Sequence, residues 1–125
     1  MVKILYIGFG GFLGSVSRYA VSGFFYRLLD KPWFPYGTMA VNLIGCLVIG
    51  FLGGISEFKQ VFSPELRLLV FIGFLGGFTT FSTFEFEVFQ LLRDNQFLPA
   101  LINVAVQIIT GLGAVWVGFL LAKLI

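Results

Sequence analysis

Apolar residues run along this chain in four long stretches separated by three short polar joints. The first stretch extends from about Ile4 to Leu28 and is interrupted by a single charge, Arg18. The second, Pro32 to Ser56, and the fourth, Asn95 to Ala122, are described by apolar and small residues with no charge in the span, and the third starts near Leu66 and runs past Phe84. A helix needs about 20 mainly apolar residues to cross the hydrocarbon of a bilayer, so each stretch is long enough. The joints are Arg27 to Pro32, Glu57 to Glu65 around Ser63-Pro64, and Arg93-Asp94-Asn95, with prolines at 32, 35, 64 and 99 marking turns and helix starts. The pattern predicts an all-α integral membrane protein, one domain over residues 1–125, with helices at about 4–28, 36–56, 65–93 and 96–123.

Composition narrows the chemistry. Only 11% of residues are charged, against roughly 25% in a soluble domain. Lys3 and the apolar run after it have the look of a signal peptide, but no small-residue cleavage site precedes a soluble segment, so the run reads as the first span. There is no histidine, which removes the usual ligand for zinc or haem and the usual catalytic base. Cys46 is the single cysteine, so no disulfide forms within the chain, and mid-span it reads as a small buried hydrophobe. The net charge of +2 comes from dispersed residues and leaves no footprint for nucleic acid. These features point away from an enzyme.

The third stretch carries the strongest functional signal. Residues 73–84 read Gly-Phe-Leu-Gly-Gly-Phe-Thr-Thr-Phe-Ser-Thr-Phe, a helix-weakening run at membrane depth. Non-helical backbone is tolerated there only inside protein or along an aqueous cavity. Unwound carbonyls and half-helix ends are ion ligands, so the run predicts a broken helix at an ion or substrate site.

Loop charges leave orientation open. Four spans put both ends of the chain on one side, with Lys3, Lys59, Arg67 and Lys123, against Arg27, Lys31 and Arg93 on the other. An excess of Lys and Arg in cytoplasmic loops normally sets orientation, and here the two sides nearly balance. Either one side is weakly preferred, or copies insert both ways. Four short helices enclose little space, so oligomerisation is expected. Gly10/Gly14, Gly50/Gly54 and Gly73/Gly77 each form GxxxG, which allows close helix approach within or between copies.

Polar residues inside the spans are the candidate site. Arg18 is an intramembrane cation that would favour an anion, or would snorkel toward the Arg27 end. Thr38 and Asn42 are i,i+4 and share a face. Asn42 offers two amide donors, for a neighbouring helix or for an anion. Phe81 and Phe84, three apart, would lie on one face of a resumed helix, and ring edges carry positive potential that could line an anion path. Glu85 and Glu87 fall near the end of the third span and are expected at the membrane interface.

These residues resemble the Fluc (CrcB) fluoride channels. The resemblance rests on Gly73-x-x-Gly76-Gly77-x-Thr79-Thr80-Phe81-Ser82-Thr83-Phe84, on Gly10-Gly11 through Gly14 with Arg18-Tyr19, on Gly37-Thr38-x-x-Val41-Asn42, and on the closing Gly111 to Gly118 helix. It spans essentially the whole chain. It implies an antiparallel homodimer of dual-topology protomers in the cell membrane of a prokaryote, with two pores that export fluoride passively. It further implies a central structural sodium bound by backbone carbonyls, here matching Gly76 and Thr79 of both protomers. Pore residues carry over to Asn42, Phe81 and Phe84, with Ser82 and Thr83 as nearby hydroxyls. The family's fourth-helix tyrosine and serine align with Asn103 and Gln107, a departure that keeps a polar track of i,i+4 amides. The rival reading is a proton-coupled small multidrug exporter, which needs a titratable carboxylate in its site. The first two spans offer none. A non-transporting structural subunit would leave the hydroxyl-rich break unexplained.

Overall fold

A computed structural model describes residues 1–31 and 33–125. Pro32, at which the sequence opens the second stretch, lies outside the described residues. Among these residues the chain is helical throughout: α1 (Val2–Leu29), α2 (Tyr36–Lys59), α3 (Pro64–Arg67, Leu68–Leu75 and Gly76–Phe78 in succession), α4 (Phe81–Arg93) and α5 (Phe97–Ala122). Four spans are long and apolar enough to cross a membrane: α1, α2, the combined Pro64–Arg93 run, and α5.

Each polar joint ends a helix by local chemistry. Asp30, Gln60 and Asn95 take positive φ values of 43°, 50° and 59°. Left-handed residues of this kind close helix C-termini by turning the chain back on its last carbonyls. Ser63 caps α3, its Oγ accepting from the Leu66 amide at 3.2 Å, and Pro64 follows at the first helical position, where its missing N–H costs nothing.

Two glycine seams join helices that run in the same direction. In the first, a Cβ on Gly14 would strike the Phe74 carbonyl oxygen and come within 2.8 Å of the Phe78 amide. Across from it, Gly77 sits against Gly11, whose carbonyl oxygen would lie 2.6 Å from an added Cβ. The second seam sets Gly50 on the Val115 backbone and Gly118 on the Leu47 carbonyl. All three GxxxG pairs are thus engaged inside one protomer. The outer surface is left to residues such as Phe9, Phe12, Ile109, Leu112 and Trp116, which are exposed and apolar, as contact with lipid requires.

Part of α3 departs from the expected winding. Leu68–Leu75 forms a π-helix packed along α1. Such widened turns cluster at functional sites, and nothing in the apolar pattern announces one.

Gly14→Ala should therefore push α1 off α3 and destabilise the protein by about 1–3 kcal/mol, the usual cost of overpacking. Gly113→Ala, where an added Cβ meets nothing within 4 Å, is the control. Thermal unfolding of the detergent-purified variants checks this, and equal midpoints would contradict the seam.

Candidate polar site at the break in the third span

The third span opens at two residues. Thr79 (φ −81°, ψ 157°) and Thr80 (φ −148°, ψ 110°) are extended, and helix resumes at Phe81. Gly76 is helical, at φ −63° and ψ −35°, so of the two carbonyl positions that the resemblance implies, Gly76 and Thr79, only Thr79 lies in unwound backbone. The reason is physical: glycine weakens a helix, but Gly76 still belongs to the last turn of α3, whose Leu75 carbonyl accepts from the Thr79 amide at 3.0 Å and from Thr79 Oγ1 at 2.9 Å. Those two bonds end α3. The next helix starts on Thr80, whose Oγ1 accepts from the Thr83 amide at 3.4 Å and donates to Thr83 Oγ1 at 2.8 Å.

Asn42 holds the opened backbone from α2. Its Oδ1 accepts from the Thr80 amide at 2.9 Å and its Nδ2 donates to the Thr80 carbonyl at 3.2 Å. One side-chain amide thus replaces the pair of helical bonds that Thr80 forgoes, in a place where no water satisfies them. The same Nδ2 donates to Gln107 Oε1 at 2.8 Å. Gln107 Nε2 in turn donates to Asn103 Oδ1 at 2.9 Å. Three amides therefore form a row from the break along α5. Asn42 spends both its donors on protein, as Thr38, Thr79 and Thr80 spend their hydroxyl hydrogens, so the donors left for a solute at the clefts are the second N–H of Gln107 and the Thr83 hydroxyl.

Arg18 does not reach back toward Arg27. Its Nη1 donates to the Thr79 carbonyl at 3.4 Å, bringing a cation to the break. With Ser22, Arg27, Thr38, Thr80 and Thr83 it lines a polar cleft of about 800 Å³ that leads to the opened backbone.

A second cleft of about 410 Å³ lies on the other side of Asn42 and Thr80, lined by Gly76, Thr79, Phe81, Phe84 and Gln107. It opens onto the outside of the protomer, where Phe81 is 73% exposed. The Phe81 and Phe84 rings share this cleft, with centroids 5.8 Å apart and planes tilted by 53°. Phe84 is also buried, packed with Val88, Leu91 and Ala100. Ser82 is exposed and joins none of these hydrogen bonds among the described residues.

Glu87 turns inward: its Oε1 accepts from Thr38 Oγ1 at 2.6 Å and from the Tyr26 hydroxyl at 3.4 Å, beside a cleft shared with Trp33, Arg93 and Asp94 of the polar joints. Glu85 remains exposed. Position along a span gives depth, but only the rotation of α4 about its axis decides whether a carboxylate meets lipid, water or hydroxyls. Sequence spacing offered one clue: Glu87 lies three residues after Phe84, on the face that packs inward.

The described residues contain no cluster of His, Cys, Asp and Glu that could hold a metal. A small cation would have to be bound by carbonyls. Gly76 and Thr79, at the C-terminal end of α3, line one cleft, and helix C-termini carry partial negative charge. The Thr79 carbonyl already accepts from Arg18 Nη1, so an ion there would share that oxygen with the guanidinium.

The fold and this row define a multi-pass α-helical membrane protein with its third span broken at a hydrogen-bonding site. The description CrcB-like protein, Camphor Resistance (CrcB), matches residues 5–119. Similar proteins include one of Citrifermentans bemidjiense, 45% identical over 98% of both chains, and one of Geotalea uraniireducens, 46% identical over 98% of both. Another, of Geotalea daltonii, is 43% identical over 100% of both. Each of the three carries the name fluoride-specific ion channel FluC. The chain belongs to the CrcB-like family. The family's named members are channels rather than enzymes, which leaves the proton-coupled exporter without support even though Glu87 supplies a half-buried carboxylate.

Proposed function

We propose that the protein is a channel that lets fluoride leave the cell passively down its electrochemical gradient, lowering its toxic concentration inside. The observation that carries this is similarity along the whole chain to relatives named fluoride-specific ion channels, together with a donor-rich row at the break. Fluoride is small and strongly hydrated, so a pore must offer close donors in place of water, none of them binding so tightly that the ion stays. The second N–H of Gln107 and the Thr83 hydroxyl supply neutral donors, and Arg18 adds positive potential in the polar cleft. Phe81 and Phe84 add ring edges where the second cleft opens.

The protomer works as half of an antiparallel homodimer of copies inserted in both orientations. The near balance of Lys and Arg on the two ends supports this, as does the open cleft beside the break, whose exposed Phe81 and Gly76 give a second copy a surface to cover. The three GxxxG pairs are used within the protomer, which supports assembly through this face instead. A structural sodium at the centre would be held by the Gly76 and Thr79 carbonyls of both copies, offsetting the repulsion between facing helix ends.

The test is efflux from liposomes holding the purified protein, with potassium made permeant and fluoride read by electrode. Fluoride should leave far faster than from protein-free liposomes, and chloride should not. Fluoride release no faster than from protein-free liposomes would overturn the proposal.

A further inference from the structure

The break meets α2 at a second point. Gly45 is buried and belongs to no GxxxG pair. A Cβ built on it would collide with Thr79 Cγ2 and lie 3.6 Å from Phe78 Cδ1. The methyl group of Thr79 therefore sits directly on the bare Cα of Gly45. Three residues earlier on α2, Asn42 holds the amide and carbonyl of Thr80. Residues three apart share a helix face, so one face of α2 grips both opened residues, Thr79 by its methyl and Thr80 by its backbone.

The Thr79 side chain is pinned on two sides. Its Oγ1 donates to the Leu75 carbonyl at 2.9 Å, and its Cγ2 rests on Gly45. Both atoms are carried by one Cβ and turn about one stiff torsion. Moving the methyl off Gly45 by that torsion takes the hydroxyl off Leu75. The alternative is to move the backbone of the break itself. A methyl added at position 45 thus has no cheap relief. The arrangement also bears on where the span opens. Glycine is the weaker helix former, yet Gly76–Phe78 stays helical and the chain becomes extended at Thr79.

We infer that Gly45 is a positioning residue: a socket for the Thr79 methyl that fixes the point at which the third span opens. Through Thr79 it sets the carbonyl that accepts from Arg18 Nη1 at 3.4 Å. It does so by offering no side chain of its own, and it acts on the conducting site only through Thr79. This deepens the fluoride reading and rests on it for the efflux assay.

A rescue series on the full-length protein tests it, with fluoride efflux from liposomes read per folded protein and thermal midpoints read in detergent. G45A should lower efflux at least about tenfold, as an added methyl in a filled site does. G53A, on the same helix where an added Cβ meets nothing within 4 Å, should stay within about twofold of the parent. G45A/T79S removes the colliding methyl and keeps the hydroxyl on Leu75, so efflux should return to within about threefold of the parent. G45A/T79V keeps a methyl at Cγ2 and loses the hydroxyl, so it should recover nothing. If G45A does not fold, the return of folded protein with T79S but not with T79V is the same rescue. Any other pattern of rescue overturns the inference, and so does G45A passing fluoride as fast as G53A. A parent protein that passes no fluoride would instead overturn the functional reading, and the midpoints, expected in the same order, would still decide the socket.

Discussion

Asn42→Asp should abolish fluoride efflux while leaving the four spans inserted. The aspartate keeps one bond, because its carboxylate still accepts from the Thr80 amide. It loses both donations, to the Thr80 carbonyl and to Gln107 Oε1. Two buried acceptors are then orphaned, at about 1–3 kcal/mol each, and each faces a negative charge instead of a donor. The break loosens, the row loses its first member, and a passing anion meets a carboxylate beside the break. Efflux should drop by at least about a hundredfold, since the lost bonds alone amount to that order in an equilibrium. Retention of a tenth or more of the parent rate would place Asn42 outside the path and remove its role in holding the break.

Forcing one orientation should have an effect of similar size. Both ends of the chain and the α2–α3 joint lie at one end of the bundle, where Lys59 Nζ donates to the Ile125 backbone oxygen at 2.5 Å. Lysines added there by Val61→Lys and Leu124→Lys, both at exposed positions, should hold that end in the cytoplasm. Lysines added at the other end by Trp33→Lys and Asp94→Lys should hold the opposite end there. Each biased form alone would insert one way, could not assemble antiparallel, and should show efflux at the protein-free background. Expressed together, the two forms should recover it. Full activity from either form alone would refute the antiparallel dimer, and tag accessibility on the two membrane faces would show directly whether the bias took hold.

Much of this architecture was legible in the residues. Apolar runs of membrane length are a local property, so the spans and joints could be placed within a few residues, and the Gly-Gly-Phe-Thr-Thr run marked the break because it combines weak helix formers at a depth where they are otherwise costly. Thr38 and Asn42 could be assigned to one face from spacing, and so could Asn103 and Gln107. What spacing could not provide was how far each helix turns about its axis and how it slides along its neighbour. That is decided where glycines let backbones touch, as at Gly14 on Phe74 and Gly50 on Val115. From that register follow the pairing of Asn42 with Thr80, the reach of Arg18 to Thr79, and the turning of Glu87 onto Thr38. The π-helical stretch at Leu68–Leu75, which packs along α1, was likewise not legible in the apolar pattern. The sequence by itself determined a four-span membrane protein with a break near Thr79, because hydrophobic length and helix weakness act locally. Which polar side chains meet at that break was decided only in the tertiary structure, because hydrogen bonds between helices depend on distances that no single helix sets.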